Sequence, residues 1–240
     1  MCATFKREDL KSRYDVTSIF EDEWHTYCAA ETDRIIDHYL KIPSGHSEWL
    51  LNAGAGVYAL GLSKWKEVSL DLFLPPIQSR SYPVCASVEQ LPFKNESFGA
   101  VICVGEVLAY CDPATAISEF ARVLATHGQL VCDFRSTKSC RYWLTPVFGR
   151  GAELIIDDYN GTPEKTWVYS PNYIETLLKK AGFMVVARLG THTWSSIARR
   201  TGFSTQTSVR IQRGIDWLQF SLIGADLITI VAERTSFERQ

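Results

Sequence analysis

Trp49-Leu50-Leu51-Asn52-Ala53-Gly54-Ala55-Gly56 is the stretch on which the fold turns. An apolar run of strand length breaks into two glycines one residue apart. That pattern suits a buried strand feeding a turn with positive φ, or one whose backbone must approach a ligand closely. Downstream, Val68-Ser69-Leu70-Asp71-Leu72 reads as a second strand and Ala100 to Val104 as a third. The third is nearly all apolar, as a strand buried on both faces should be. Residues 113–124 read as a helix opened by Asp112-Pro113, with Ala116, Ile117, Phe120, Val123 and Leu124 on one stripe. Gly128 stops it, and Gln129 to Phe134 resumes a strand. Upstream, residues 26–41 place Cys28, Ala29, Thr32, Ile35, Ile36, Tyr39 and Leu40 at helical spacing until Pro43. Strands alternating with helices predict an α/β fold built on a doubly wound, mostly parallel sheet.

Beyond Phe134 the period loosens, and residues 136–168 are mixed, with Gly149, Gly151, Gly161 and Pro163 as turn signals. Ser170-Pro171 opens a helix through Lys180, Gly182 ends it, and Phe183 to Leu189 is a strand. An excursion over 190–222 precedes a last strand, Asp226 to Ala232, expected to run antiparallel at one edge of the sheet. No internal repeat or low-complexity linker interrupts the chain, so one domain over residues 1–240 is expected.

Composition is that of an ordinary globular protein: 46% hydrophobic, 22% charged, formal net charge −2. That balance does not steer the molecule onto nucleic acid or an anionic membrane, and neither partner is expected. The apolar run Leu222 to Ala232 is too short to span a bilayer and is interrupted by Asp226. The N-terminus lacks the apolar core of a signal peptide, so a cytoplasmic location is expected. Seven cysteines, at positions 2, 28, 85, 103, 111, 132 and 140, form no C-x-x-C pair and meet no histidine cluster. Reduced, structural thiols are expected, and no metal site.

In a sheet of this kind ligands bind outside the carboxyl ends of the strands, where the strand order reverses. Asn52-Ala53-Gly54-Ala55-Gly56 occupies one such end and Asp71 the next, where a carboxylate can accept both hydroxyl protons of a ribose. An adenosine-bearing cofactor follows, and two compete, because Gly54-x-Gly56-x-x-Ala59 also fits the dinucleotide fingerprint. Further along stand Glu89-Gln90-Leu91-Pro92-Phe93, Ser97-Phe98, the strand Ala100 to Val104, Gly105-Glu106-Val107-Leu108, and Glu119-Phe120-Ala121-Arg122-Val123-Leu124 with Gly128. This ordered series, over residues 48 to 134, resembles the class I S-adenosylmethionine-dependent methyltransferases, in particular the small-molecule branch with L-P-F and R-V-L-x-x-x-G signatures. Ser170-Pro171 through Ala181-Gly182-Phe183 is similar to that family's helix before its sixth strand.

The resemblance implies a Rossmann-like fold, S-adenosylmethionine as cofactor and a small-molecule substrate. It divides the chain into an N-terminal helical cover (1–45), a cofactor-binding half (46–135) and a substrate-side half (136–240). It sets Asn52 to Gly56 at the methionine end of the cofactor, Asp71 and Leu72 at the ribose, and Ser87, Val88 and Glu89 at the adenine. The backbone from Cys103 to Gly105 would meet the amino-acid portion, and Tyr14 resembles an aromatic laid over the cofactor. A catalytically degenerate cofactor-binding paralogue is the alternative, and a nicotinamide-dependent oxidoreductase a more remote one. The chain departs from the family at Asn52 and Ser87, where acids are usual, at Tyr58, where a glycine is, and at Gly99, where Asp is. Close spacing of Gly54, Asp71 and Ser87 leaves room for about one or two helical turns in each crossover.

A sulfonium is already an activated methyl donor, so the protein has only to align nucleophile, methyl and sulfur and remove at most a proton. Glu106, Tyr110 and His192 are the candidates near the expected cleft. From Thr176 to Ile215 there is no acid, whereas residues 14–33 hold six acids and no Lys or Arg. Either the basic stretch is a solvated face, or it is a lid whose Arg199 and Arg200 hold an anionic substrate group. The acidic N-terminal stretch would then pack across it.

Overall fold

The computed structural model describes residues 23–41, 47–57, 60, 62, 64–159, 162–215 and 224–235. Its strands are β1 (Trp49–Ala53), β2 (Lys66–Asp71), β3 (Pro83–Cys85), β4 (Phe98–Cys103), β5 (Leu124–Arg135), β6 (Ala152–Tyr159), β7 (Thr162–Tyr169), β8 (Phe183–Thr191) and β9 (Leu227–Arg234). Seven of them form one sheet in the order β3-β2-β1-β4-β5-β9-β8, and β6 and β7 form a separate hairpin. Strands β1 to β5 pair in parallel, and β9 runs antiparallel between β5 and β8. The dinucleotide-binding arrangement has the order 3-2-1-4-5-6. An antiparallel strand inserted beside β5 sets this sheet apart from it.

Successive residues of a strand face opposite sides, so Leu50 and Leu51 feed two different cores. On one face α1 (Glu23–Tyr39) lays Ile35, Ile36 and Leu40 against Leu50, Ala100, Ile102 and Val131. On the other, α2 (Pro113–Val123) and α3 (Pro171–Lys180) bury Ile117, Phe120, Ile174 and Leu178 against Leu51, Val101 and Leu130. Both of these helices start as their sequences dictate: Asp112 accepts the Thr115 N–H and Ser170 the Tyr173 N–H, each followed by proline. Cys103, Cys111 and Cys132 are buried as small apolar fillers.

Four expectations change. Among the described residues the first crossover holds no helix. The Gly54 and Ala55 amides instead donate to the Leu70 carbonyl, and Leu60 and Leu62 cover the sheet. The second crossover is a single 3-10 turn, Pro75–Ile77, whose two prolines bring no N–H to a longer helix. Helix α2 ends at Val123, before Gly128, and β5 begins at once. Residues 136–168, read as mixed, contain the β6–β7 hairpin. The departure at Gly99 has a steric cause: a Cβ there would lie 2.1 Å from the Ser47 carbonyl oxygen. The excursion forms α4 (Thr193–Arg200) and α5 (Thr205–Ile215). No helix among the described residues is long and apolar enough to cross a membrane.

Candidate active site

At the carboxyl end of β1 both glycines adopt the left-handed conformation, Gly54 at φ 78° and Gly56 at φ 50°. Asp71, closing β2 next door, accepts the Gly56 N–H at 2.9 Å through Oδ2 and the Phe73 N–H at 3.0 Å through Oδ1. The residue is only 1% exposed, and these two bonds make it the latch of the glycine turn. Asn52 points away from that turn and donates to Glu67 Oε1 at 2.9 Å, an oxygen that also receives the Ser69 hydroxyl. The alanines on either side of Gly54 are buried.

A second latch closes the loop after β4. Beyond buried Cys103, Gly105 and Glu106 are consecutive left-handed residues, and their amides donate to Asp133 Oδ2 and Oδ1 at 2.9 and 2.8 Å. A left-handed Glu costs about 1–2 kcal/mol. The two amide hydrogen bonds contribute about 0.5–1.5 kcal/mol each, enough to hold it. Burial pushes the Asp133 carboxyl up to about 7, against the two amides that favour its charge. The two loops touch, for a Cβ on Gly54 would lie 2.3 Å from Val107 Cγ2.

On the β3 side, Ser87 Oγ accepts the Glu89 N–H at 3.1 Å, and Glu89 Oε1 accepts the Asp112 N–H at 2.7 Å. Val88 between them is buried. The Leu-Pro-Phe and Arg-Val-Leu signatures are one unit: Arg122 donates to the Leu91 and Phe93 carbonyls, and Glu119 accepts the Leu91 N–H at 2.8 Å. The Arg122 hydrogen bond holds the Glu119 carboxyl below its ordinary range.

Past β5 the character changes. Arg135 bridges Glu106 (2.9 Å) and Asp157 (2.6 Å), and Arg141 bridges Asp157 (2.8 Å) and Asp226 (4.0 Å). Exposure falls from 32% at the Asp157 side chain to 6% at Asp226. Arg135 Nε, Tyr142 Oη and Asp226 Oδ1 are buried without a hydrogen-bond partner.

Residues 46–132 match the family profile of a methyltransferase domain. An uncharacterised protein of Methanocaldococcus jannaschii is 27% identical over 176 residues, and the match spans 67% of this chain and 66% of that relative's length. Among solved structures, a Listeria monocytogenes protein described as an S-adenosylmethionine-dependent methyltransferase superposes with a TM-score of 0.63 at 11% identity, over 87% of this chain and 99% of that one. The 1,6-didemethyltoxoflavin-N1-methyltransferase of Burkholderia thailandensis gives 0.57 at 14% identity, over 98% and 94%. At these identities the likeness is one of fold.

Around these loops the other candidates divide. Glu106 belongs to the latched loop, and Tyr110 ends the 3-10 turn Val107–Tyr110 behind it. His192 is 1% exposed and stacks on Trp24 at 3.7 Å, with ring nitrogens 2.8 Å from Ser195 Oγ and 2.9 Å from Cys28 Sγ. It joins α1 to α4. Glu23 of the acidic stretch meets Gln206 and Arg210 of the basic one, so these segments do pack together. Arg200 donates through Nη1 to the Cys140 and Trp143 carbonyls. Tyr14, Tyr58 and the side chain of Arg199 lie outside the described residues.

Asp133, Arg135, Arg141, Asp157 and Asp226 were absent from the sequence-based candidates. Asp133 and Asp226 had a signal, since each interrupts an apolar strand, and acids are almost never fully buried without partners. The arginines had none, because their partners are distant in the chain.

Proposed function

We propose that the protein is an S-adenosylmethionine-dependent methyltransferase that transfers a methyl group in line to a small molecule. One observation carries this reading. Two carboxylate-latched loops, at Gly54–Gly56 and Gly105–Glu106, flank the point between β1 and β4 where the strand order reverses. The main chain there suits a ligand: a Cβ on Gly105 would meet nothing within 4 Å, and one on Gly56 only the Gly54 carbonyl oxygen at 4.0 Å. In this reading the glycine turn and the Gly105 loop hold the methionine portion of the cofactor, with Leu72, Ser87 and Glu89 toward the nucleoside. When bound, the cofactor supplies an activated methyl group on a sulfonium.

The residues of the chain align rather than react. Asp71 and Asp133 keep both loops preorganised, so little ordering is needed on binding. In this reading Glu106, anchored by Arg135, accepts the proton that the nucleophile loses. The Burkholderia neighbour was solved with 1,6-didemethyltoxoflavin and S-adenosylhomocysteine bound, which supports a small-molecule substrate.

Calorimetric titration with S-adenosylmethionine and S-adenosylhomocysteine tests the first step. Binding is expected. Asp71→Asn keeps the shape but removes the charge from two amide bonds, and should weaken binding about tenfold or more. Neither heat nor thermal stabilisation at millimolar ligand would defeat the proposal. Label from methyl-labelled cofactor should enter the metabolite fraction of a cell extract; label in RNA or protein alone would defeat the small-molecule assignment.

A further inference from the structure

Cys28 and His192 take no part in the methyl transfer proposed above, yet they stand as a nucleophile and its base. Cys28 Sγ lies 2.9 Å from His192 Nε2, and the other ring nitrogen, Nδ1, lies 2.8 Å from Ser195 Oγ. Trp24 stacks on the imidazole at 3.7 Å with the two planes 4° apart, and Tyr27 meets it edge to face at 5.0 Å. His192 is 1% exposed, so packing holds its ring in this orientation. A base must reach the proton it takes and be oriented by a third group, and here both conditions are met. The backbone is strained to keep it there: His192 has φ 63°, in the left-handed region, and such strain persists only where the surroundings impose it.

The charges around the pair support transfer of the thiol proton to the ring. Ahead of β9, Asp226 lies within electrostatic reach of His192. Burial opposes its charge, but Arg141 and Arg135, with Ser139 and His192 adding to them, hold its carboxyl below the ordinary range. A carboxylate there stabilises a positive imidazole, as does the ring face of Trp24, and a positive imidazole stabilises a thiolate. From α5, Arg213 lies 6.0 Å over the Tyr27 ring and Arg210 pairs with Glu23 of α1; on α1 itself Glu31 pairs with Arg34. Cys28 is half-buried. Two hydroxyls flank the histidine in the chain: Thr191 Oγ1 and Ser196 Oγ are buried without a hydrogen-bond partner, in residues 7% and 1% exposed. Buried polar groups are nearly always hydrogen-bonded, so such atoms mark a place for a small polar molecule.

We propose that Cys28 is a nucleophilic thiol, served by His192 as its base, and a site of oxidation by small hydroperoxides. His192 Nε2 takes the thiol proton, and the sulfur attacks the nearer peroxide oxygen. The S–O bond forms as the O–O bond breaks, two electrons pass from sulfur to the peroxide, and the departing oxygen takes the proton from His192. The products are a sulfenic acid on Cys28 and water, or an alcohol where the oxidant is an alkyl hydroperoxide. Peroxides are the electrophiles that gain most from this arrangement, because the leaving oxygen is strongly basic and has to be given a proton.

The test treats the full chain at neutral pH with hydrogen peroxide and dimedone, which traps sulfenic acids, and reads the adduct at each cysteine by mass spectrometry. Exposed Cys85, whose thiol donates to the Leu72 carbonyl, is the internal reference. Cys28 should be trapped about tenfold faster than Cys85 or more. His192→Asn suits the left-handed backbone but cannot take the proton, and should slow Cys28 about tenfold or more while Cys85 is unchanged. Should that variant unfold, the wild-type protein still decides. Alkylation of Cys28 by iodoacetamide should hold its rate from about pH 8 to about pH 6, where an ordinary thiol loses about tenfold per pH unit. Trapping no faster than at Cys85, a rate that survives His192→Asn, or the ordinary tenfold fall per pH unit at Cys28 overturns the proposal.

Discussion

The carboxylates on the two sides of β5 are satisfied differently. In the loops after β1 to β4 and at the end of β5, Asp71, Asp133 and Glu89 each accept main-chain N–H groups. Beyond β5, Asp157 and Asp226, with Glu106, meet long arginine side chains, and buried polar atoms remain unbonded. An amide latch fixes backbone conformation whether or not a ligand is present. An ion-pair cluster with unmatched atoms can repack around what arrives, at the cost of incomplete satisfaction in its absence.

The most damaging way to break the comparison is at the contact between the loops. Gly54→Ala adds a methyl 2.3 Å from Val107 Cγ2 at a residue with φ 78°. Left-handed strain and overpacking together should destabilise the protein by about 2–4 kcal/mol, and S-adenosylhomocysteine binding should disappear. Gly56→Ala meets open space and should cost about 1–2 kcal/mol from strain alone. Urea unfolding and calorimetry of both variants decide the matter; equal effects would mean that the loops are not held against each other.

A smaller effect separates the latches by pH. The native Asp133 carboxyl, raised by burial to about 7, keeps a proton that the unfolded chain releases near the ordinary aspartate value of 3.8. Native protein thus binds more protons across this window. Stability should fall as pH rises from about 4 to about 7, by up to about 1.4 kcal/mol per pH unit, and level off above. The slope should vanish in Asp133→Asn, measured as the difference between the two proteins in urea unfolding across that range. Identical pH profiles would show that Asp133 titrates normally.

The smallest effect sharpens the contrast between buried and exposed ion pairs. Arg188 forms a forked pair with Glu175 at 2.6 and 2.8 Å, but its side chain is 40% exposed. Arg188→Ala should change stability by about 0–1 kcal/mol. A loss above that range, read from urea unfolding, would mean that surface pairs count here as much as the buried cluster.

Legibility followed the range of the interactions. The hairpin β6–β7 was missed although Asn160-Gly161, the pair favoured in two-residue hairpin turns, stands between the strands. Pro163 and the exposed apolar residues Leu154 and Ile156 obscured the alternation that would have supported it. The amide bonds of Asp71 were not legible: a strand-end acid looks the same in the sequence whether or not it accepts backbone N–H groups. Arg200 stood out by its charge, which says nothing about the carbonyls that occupy it.

What the chain alone determined is whatever depends on period and near neighbours. That covers the alternation of buried strands and amphipathic helices, the capped starts of α2 and α3, the antiparallel last strand, and the ordered series from the glycine turn to Gly128. The last is legible because Arg122 and Glu119 bind the Leu91–Phe93 loop, and so constrain both stretches of sequence together. Tertiary structure alone decided the cluster of Glu106, Arg135, Asp157 and Asp226, and the meeting of Cys28 with His192, 164 positions apart. Such pairs leave no trace in hydrophobic period, because a charged side chain reads as surface until the fold brings its partner beside it.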